Sequence, residues 1–312
     1  MRVMSPGPYT TLQGGMRRGA RHLGVPWSGP ADAVSMALAN RLVGGAADQT
    51  ALEIALGGLT ARFRDDVAFA VAGAPAEVRL NDAPVAQHRT HAARSGDVLA
   101  VGRLSFGARI YLAVAGGFAA DAFLGSPSTY APAGFGGLGG RRLAADDELT
   151  LIAPATEVPR LRTPEAHRPV IGEAFALRAC ASAETGLLDP ASREALFETT
   201  FVVGRRGDRM GLALEGRPLR LASDGKMKSA AVFPGVVQCP ENGAPFALLA
   251  DAQTTGGYPR VASVARCDRH VLGQLRPGAR VRLLRRTREE AVDALRDKLA
   301  FLRAWVPDID LA

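Results

Sequence analysis

Glycine and proline are spread unevenly along this chain: 35 Gly and 20 Pro gather into clusters that cut the apolar residues into short runs. Glycine gives left-handed backbone freely and proline fixes φ at turn positions, so this punctuation suits many short strands joined by tight turns. Strands are predicted at 67–72, 97–101, 109–115, 148–152, 201–203, 246–250 and 280–284, all rich in Val, Leu, Ile or aromatics. The fold class expected is mainly β with a few short helices, of the sandwich or barrel kind. At 312 residues and 47 % apolar content, the chain can bury the cores of roughly two domains.

Three segments read as helices. Asp32 caps the first, with Val34, Leu38 and Leu42 on one face and Gly44-Gly45 as the stop. Asp189 caps the second, with Pro190 at its first position, and Thr287-Arg288-Glu289-Glu290 opens the third as a capping box. Along the third, Val292, Leu295, Leu299 and Leu302 form a stripe that predicts packing of one face on the body. Four prolines between 153 and 170 and no periodicity there mark a linker or extended crossover. The division predicted is a β-rich subdomain over 1–160 and a second, carrying the terminal helix, over 161–312. Faint echoes between the halves, such as RSGDVLAVG at 94–102 and LRPGARVRLL at 275–284, leave a duplicated unit open.

Charge and cysteine usage narrow the function classes. The surplus of 38 Lys+Arg over 31 Asp+Glu gives +7, but only Lys226, Lys228 and Lys298 are lysines. The 35 arginines are scattered among acids and aromatics are 6 %, so no basic stripe meets an aromatic platform and nucleic acid is not the expected partner. Cys180, Cys239 and Cys267 are too few and too distant for a disulfide framework or metal knuckle, and no metal site is expected. No apolar run approaches the ~18 residues of a spanning helix and the N-terminus lacks an apolar signal core, so a cytoplasmic protein away from membranes is expected.

Standard catalytic signatures are absent, and no catalytic residue is assigned. GFGGLG at 134–139 fits G-x-G-x-x-G, yet Arg141-Arg142 and a strand-like run follow it where a phosphate-binding helix would be needed. The five histidines read as surface residues. The turn-dense HLGVPWSGPAD at 22–32 can present the side-chain oxygens of Ser28 and Asp32 from a loop, or be a turn that ends in a cap.

The densest polar signal is LLADAQTTGGYPRVA at 248–262. An apolar strand there delivers Gln253, Thr254 and Thr255, groups that donate and accept, followed by Gly256-Gly257 at an expected sharp turn and by Arg260, whose fork suits a carboxylate. That inventory suits a small amide or lactam acid; the competing reading is a glycine turn whose hydroxyls satisfy local backbone. Gln238 sits on a strand that turns at 240–243 and returns antiparallel, so it is predicted to face Gln253. Asp208 and Arg209 form a loop that is either a solvated salt pair or an anchor for an anionic group.

SPGPYTTLQ, HLGVPWSGPAD, ALEIALGG, YLAVAGGF, LGSPSTY, DRMGLALEG and PGVVQCPENGAPFALLADAQTTGGYPRVA occur in order from about residue 3 to 285. Together they resemble the biotin-dependent carboxyltransferase subunit-B family, whose members are also called allophanate hydrolase subunit 2 or the C subunit of 5-oxoprolinase. The resemblance implies a cyclophilin-like β-barrel fold and a composite site formed with a subunit-A homologue, which is the B subunit of 5-oxoprolinase. It also implies a LamB/YcsF-like subunit and ATP used by the assembled complex to open 5-oxoproline to glutamate. Gln253, Thr254, Thr255, Tyr258 and Arg260 would line the site, Arg260 holding the substrate carboxylate and Ser28 and Asp32 completing it. Two alternatives stand beside this: a regulatory protein that antagonises an inhibitor of a sporulation kinase, and a urea-carboxylase-like module served by carboxybiotin. Lys226-Met227-Lys228 is superficially like a biotinylation motif but reads as a loop.

The chain departs from the family pattern in two places. Gly14 stands where TTVQDxGRxG carries its acid, and ACASAETGLLDPASREALF at 179–197 replaces a GPQxDxF-like segment. If those residues touch substrate or partner, activity is altered.

Overall fold

The computed structural model describes residues 1–222 and 227–311. They form two compact units: one of residues 1–18, 28–171 and 301–310, the other of 19–27, 172–300 and Leu311. The architecture is mostly β, and among the described residues no helix is long and apolar enough to cross a membrane.

The first unit holds strands β1 (Arg2–Pro6), β2 (Tyr9–Gln13), β3 (Ala51–Ala55), β4 (Leu59–Arg62), β5 (Val67–Gly73), β6 (Ala76–Leu80), β7 (Ala83–Pro84), β8 (Thr90–Ala93), β9 (Val98–Leu104) and β10 (Arg109–Val114), with helix α1 (Ala33–Leu42) after β2. They make two five-stranded sheets, ordered β1-β4-β9-β6-β7 and β2-β3-β10-β5-β8. Every residue of β5 and β10 is buried, because α1 packs on both strands and a sheet covered on each face reads as an unbroken apolar run. Asp32 caps α1 by accepting from Ser35 N at 3.0 Å, and Gly44 ends it with φ +75°.

The 148–152 strand does not form; only isolated bridges occur at Glu148 and Leu151. Its backbone is split between partners, Leu149 N donating to Met1 O and Ile152 N to Gly117 O, so no continuous ladder develops. The glycines at 134–140 are followed by an isolated bridge, not a helix. Gly136, Gly137 and Gly140 have positive φ and pack where a Cβ would meet Ser128 O, Thr129 Oγ1 and the Gly134 backbone. These residues close loops on one another and present no helix terminus that would fit a phosphate.

The second unit is built from β11 (Ala174–Ala181), α2 (Pro190–Glu198), β12 (Thr200–Gly207), β13 (Gly211–Glu215), β14 (Ala230–Ala231), β15 (Val236–Gln238), β16 (Phe246–Leu248), β17 (Thr255–Gly256), β18 (Arg260–Val264), β19 (Arg280–Arg286) and most of α3 (Arg288–Arg303). Seven strands close a barrel in the order β11-β18-β15-β16-β13-β12-β19, and β14-β17 is a separate ribbon. The seam joins β11 to β19 in parallel from Ala174↔Arg280 to Cys180↔Arg286. A closed barrel in one unit and two five-stranded sheets in the other mean that the echoed sequence runs do not give one repeated topology.

Both remaining helix starts form as predicted: Asp189 accepts from Ser192 N at 2.6 Å, and Thr287 and Glu290 exchange side-chain to backbone bonds of 2.8 and 3.2 Å. The stripe on α3 is a different matter. Leu302 is buried, Leu295 and Leu299 are half-buried and Val292 is exposed, so full burial is confined to the C-terminal end of the helix, with Val306 and Ile309 buried after it. Thr287→Ala, which removes one side of the capping box, should cost about 1 kcal/mol in chemical denaturation.

Candidate functional site

In the second unit the hairpin of β15 and β16 sets Gln238 opposite Phe246, and β18 sets Arg260 opposite Gln238. Gln238 is buried, its Nε2 donating to Tyr258 O at 3.1 Å while its Oε1 accepts from Gln253 Nε2 at 3.4 Å. The two amides meet as predicted, although the hairpin itself pairs Gln238 with Phe246 and it is the segment after β16 that brings Gln253 to Gln238. Gly256 does not make a sharp turn: Thr255-Gly256 is β17, paired with Ala230-Ala231, and neither Gly256 nor Gly257 has positive φ. The glycine serves close approach instead, since a Cβ there would stand 2.6 Å from Gln238 Nε2. Thr254 is half-buried, Thr255 is exposed, and the Tyr258 ring is half exposed.

Arg260 is not an open fork. Its Nε donates to Glu184 Oε2 at 2.7 Å, its Nη2 to Glu184 Oε1 and its Nη1 to Ala231 O at 2.9 Å. The guanidinium holds the Glu184 carboxyl below its usual range. Glu184 comes from the divergent 179–197 segment, which thus does reach this region.

Asp208 and Arg209 are neither a salt pair with each other nor an open anchor. Asp208 is exposed and accepts from Met210 N, whereas Arg209 is buried and donates Nε and Nη2 to Asp251 at 2.8 and 3.1 Å. That buried pair fixes the start of the 251–256 segment, reinforced by Asp251 N donating to Arg209 O.

Sequence reasoning passed over Arg21. Its Nη2 donates to Val232 O and to Gln253 O, the latter at 3.0 Å, and its guanidinium lies 5.0 and 5.1 Å from the ring centroids of Trp27 and Phe233. The one signal available was its place immediately before the 22–32 turn segment.

Ser28 and Asp32 belong to the first unit. Their loop is held by a buried network: Glu53 Oε2 accepts from Ala31 N and from Tyr111 Oη, Tyr111 Oη accepts from Asp32 N, and Arg109 Nε donates to Glu53 Oε1. Glu53 and Tyr111 are directly opposite on β3 and β10, so the pairing register itself assembles the network. Asp32 spends both carboxylate oxygens on Ser35. Ser28 is buried with φ +52° and no partner for Oγ.

The histidines are not all at the surface: His88 and His270 are each 8 % exposed. His88 has φ +58° and a buried Nδ1 without a partner, and burial lowers its pKa from 6.5 to about 4, with Arg168 adding to the effect. Native His88 stays neutral while the unfolded chain protonates first, so its contribution is complete above pH 6.5 and is lost as pH falls towards 4. The loss totals about 3 kcal/mol. Urea denaturation between pH 7 and 4 should show a steeper fall for wild type than for His88→Gln.

Among the described residues no group of three His, Cys, Asp or Glu is arranged to hold a metal, and the three cysteines are free. The chain belongs to the family described as carboxyltransferase domain, subdomain A and B, whose model matches residues 23–285. It is 36 % identical over 98 % of its length, and 98 % of the relative's, to the C subunit of the 5-oxoprolinase of Escherichia coli strain K12. It is 31 % identical to the urea amidolyase of Lachancea kluyveri, matching 95 % of this chain and 18 % of that protein. The crystal structure of the K. lactis urea amidolyase superposes with a TM-score of 0.91 at 27 % identity, over 97 % of this chain and a fifth of the larger one.

Proposed function

We propose that this chain is the C subunit of a 5-oxoprolinase-type enzyme, an assembly that opens a small lactam or amide with ATP. The observation that carries this reading is the near end-to-end match to a protein of that name, with neither chain leaving a long unmatched segment. The site is taken to be the paired amides of Gln238 and Gln253, with Thr254, Thr255 and Tyr258 around them; an amide pair both donates to a lactam carbonyl and accepts from its N–H. Arg260 and Glu184 shape one wall as a closed pair, and Arg209, through Asp251, braces the start of the segment that carries Gln253. The partners are a subunit-A homologue and a LamB/YcsF-like subunit. ATP is assigned to the assembly, because the glycine loop at 134–140 does not fit a phosphate.

The test is conversion of 5-oxoproline to glutamate by the chain with both partners and ATP, each component omitted in turn. Activity that needs all of them supports the reading, and Gln253→Ala should then raise the half-saturating substrate concentration about tenfold, the weight of one lost hydrogen bond near its upper range. A stable complex without turnover would overturn it in favour of a regulatory role. The match to urea amidolyase favours a second reading, a carboxyltransferase module served by carboxybiotin, which would show as carboxylation of urea in place of lactam opening. Of the Lys226-Met227-Lys228 sequence, Lys226 lies outside the described residues.

A further inference from the structure

We infer that Arg21, not Arg260, is the specificity-determining residue that receives the carboxylate of this site's lactam ligand. The inference rests on the site reading above and adds the residue that selects the charged ligand over a neutral one.

Four observations carry it. First, the obvious cation is already engaged: Nε and Nη2 of Arg260 pair with Glu184 and Nη1 with Ala231 O, so a ligand carboxylate arriving there would have to displace that carboxylate or sit beside it. Second, Arg21 has no carboxylate partner among the described residues. Nη2 meets only the neutral carbonyls of Val232 and Gln253, and Nη1 is buried with no hydrogen-bond partner. Burial lowers its proton affinity, as befits a desolvated cation that lacks a counter-charge.

Third, Arg269 flanks the same turn. A Cβ on Gly235 would stand 2.9 Å from Arg269 Nε, itself without a partner, and burial lowers this guanidinium to about 10. Two uncompensated guanidiniums about the Phe233–Gly235 turn make its surroundings positive, and an anion placed there stabilises both. Fourth, the cation and the amide pair are one hydrogen-bonded array. Gln253 accepts from Arg21 through its backbone carbonyl and donates to Gln238 through its side chain, so a molecule with a lactam at one end and a carboxylate at the other matches the array end for end. Trp27 and Phe233, 5.8 Å apart, lie against the guanidinium and limit its rotation.

The test compares two probes by calorimetry on the full chain, alone and in the assembly named above: 5-oxoproline, and 2-pyrrolidinone, the same ring without its carboxylate. Wild type should prefer 5-oxoproline. Arg21→Gln should weaken 5-oxoproline about tenfold or more, the weight of a charged hydrogen bond, while leaving 2-pyrrolidinone unchanged. Arg21→Lys, which keeps the charge, should restore most of the preference, and it replaces Arg21→Gln as the decisive variant if the latter melts early. Equal weakening of both probes by Arg21→Gln would make Arg21 a purely structural brace and overturn the assignment. Unchanged 5-oxoproline binding in Arg21→Gln, with loss in Arg260→Gln, would return the carboxylate to Arg260. Absence of binding of either probe to wild type in both settings would overturn the site reading itself along with the assignment.

Discussion

Glu53→Ala will lower the unfolding free energy by about 3–5 kcal/mol, the cost of removing one member of a buried charged network. For a unit of this size that is a fall of roughly 10 °C in melting temperature. Three donors lose their acceptor at once: Ala31 N, Tyr111 Oη and Arg109 Nε all give to this one carboxylate, and Glu53 and Tyr111 are at most 2 % exposed. Tyr111→Phe removes the bonds to Glu53 and Asp32 N but leaves the Glu53 carboxylate held by Ala31 N and Arg109, so it should cost less, about 1–3 kcal/mol. Calorimetric melting of the two variants checks the order; a Glu53→Ala protein as stable as wild type would show that the loop at 28–32 needs no such anchor.

Asp251→Ala should be as severe, again about 3–5 kcal/mol, because it takes two hydrogen bonds and a carboxylate counter-charge from the Arg209 guanidinium at 6 % exposure. The double variant Arg209→Met with Asp251→Leu should recover most of that loss, since an apolar pair of similar volume avoids desolvating two charges. Stability and function separate here. The double variant removes the brace at the start of the segment that carries Gln253, so lactam binding should remain weakened even where melting is restored. Paired melting and calorimetric titration of the two variants would reveal this split, and coincident recovery of both would deny Asp251 any part in placing Gln253.

What was legible in the sequence follows from how far apart the interacting residues lie. Asp32 on Ser35, Asp189 on Ser192 and Thr287 on Glu290 are three residues apart, and a cap is written in its own neighbourhood. Gln238 meeting Gln253 was legible only in part: the hairpin register pairs Gln238 with Phe246, and the segment beyond β16 carries Gln253 back to it. Closure of Arg260 by Glu184 spans 76 positions and the grip of Arg21 on Gln253 spans 232, so neither is encoded by any local spacing. Gly14 shows the converse. Its replacement of an acid was plain to read, but its setting was not: a Cβ there would stand 2.7 Å from Pro127 Cγ, so a side chain at 14 needs that proline moved. The α3 stripe is covered only towards its C-terminal end, because periodicity reports which face is apolar and says nothing about how far another surface extends to cover it.

The parallel seam of the barrel has a consequence for how the protein is made. β11 is joined along seven residue pairs to a strand more than a hundred positions later, so a nascent chain that has emerged only as far as Gly278 holds six of the seven staves with two unpaired rims. Pairing across such a separation is intrinsically slow, and open rims seek any available strand. During synthesis the vulnerable interval therefore lasts until Arg286 has cleared the ribosome, and chaperone demand should fall sharply for chains arrested beyond that point compared with those arrested just before it.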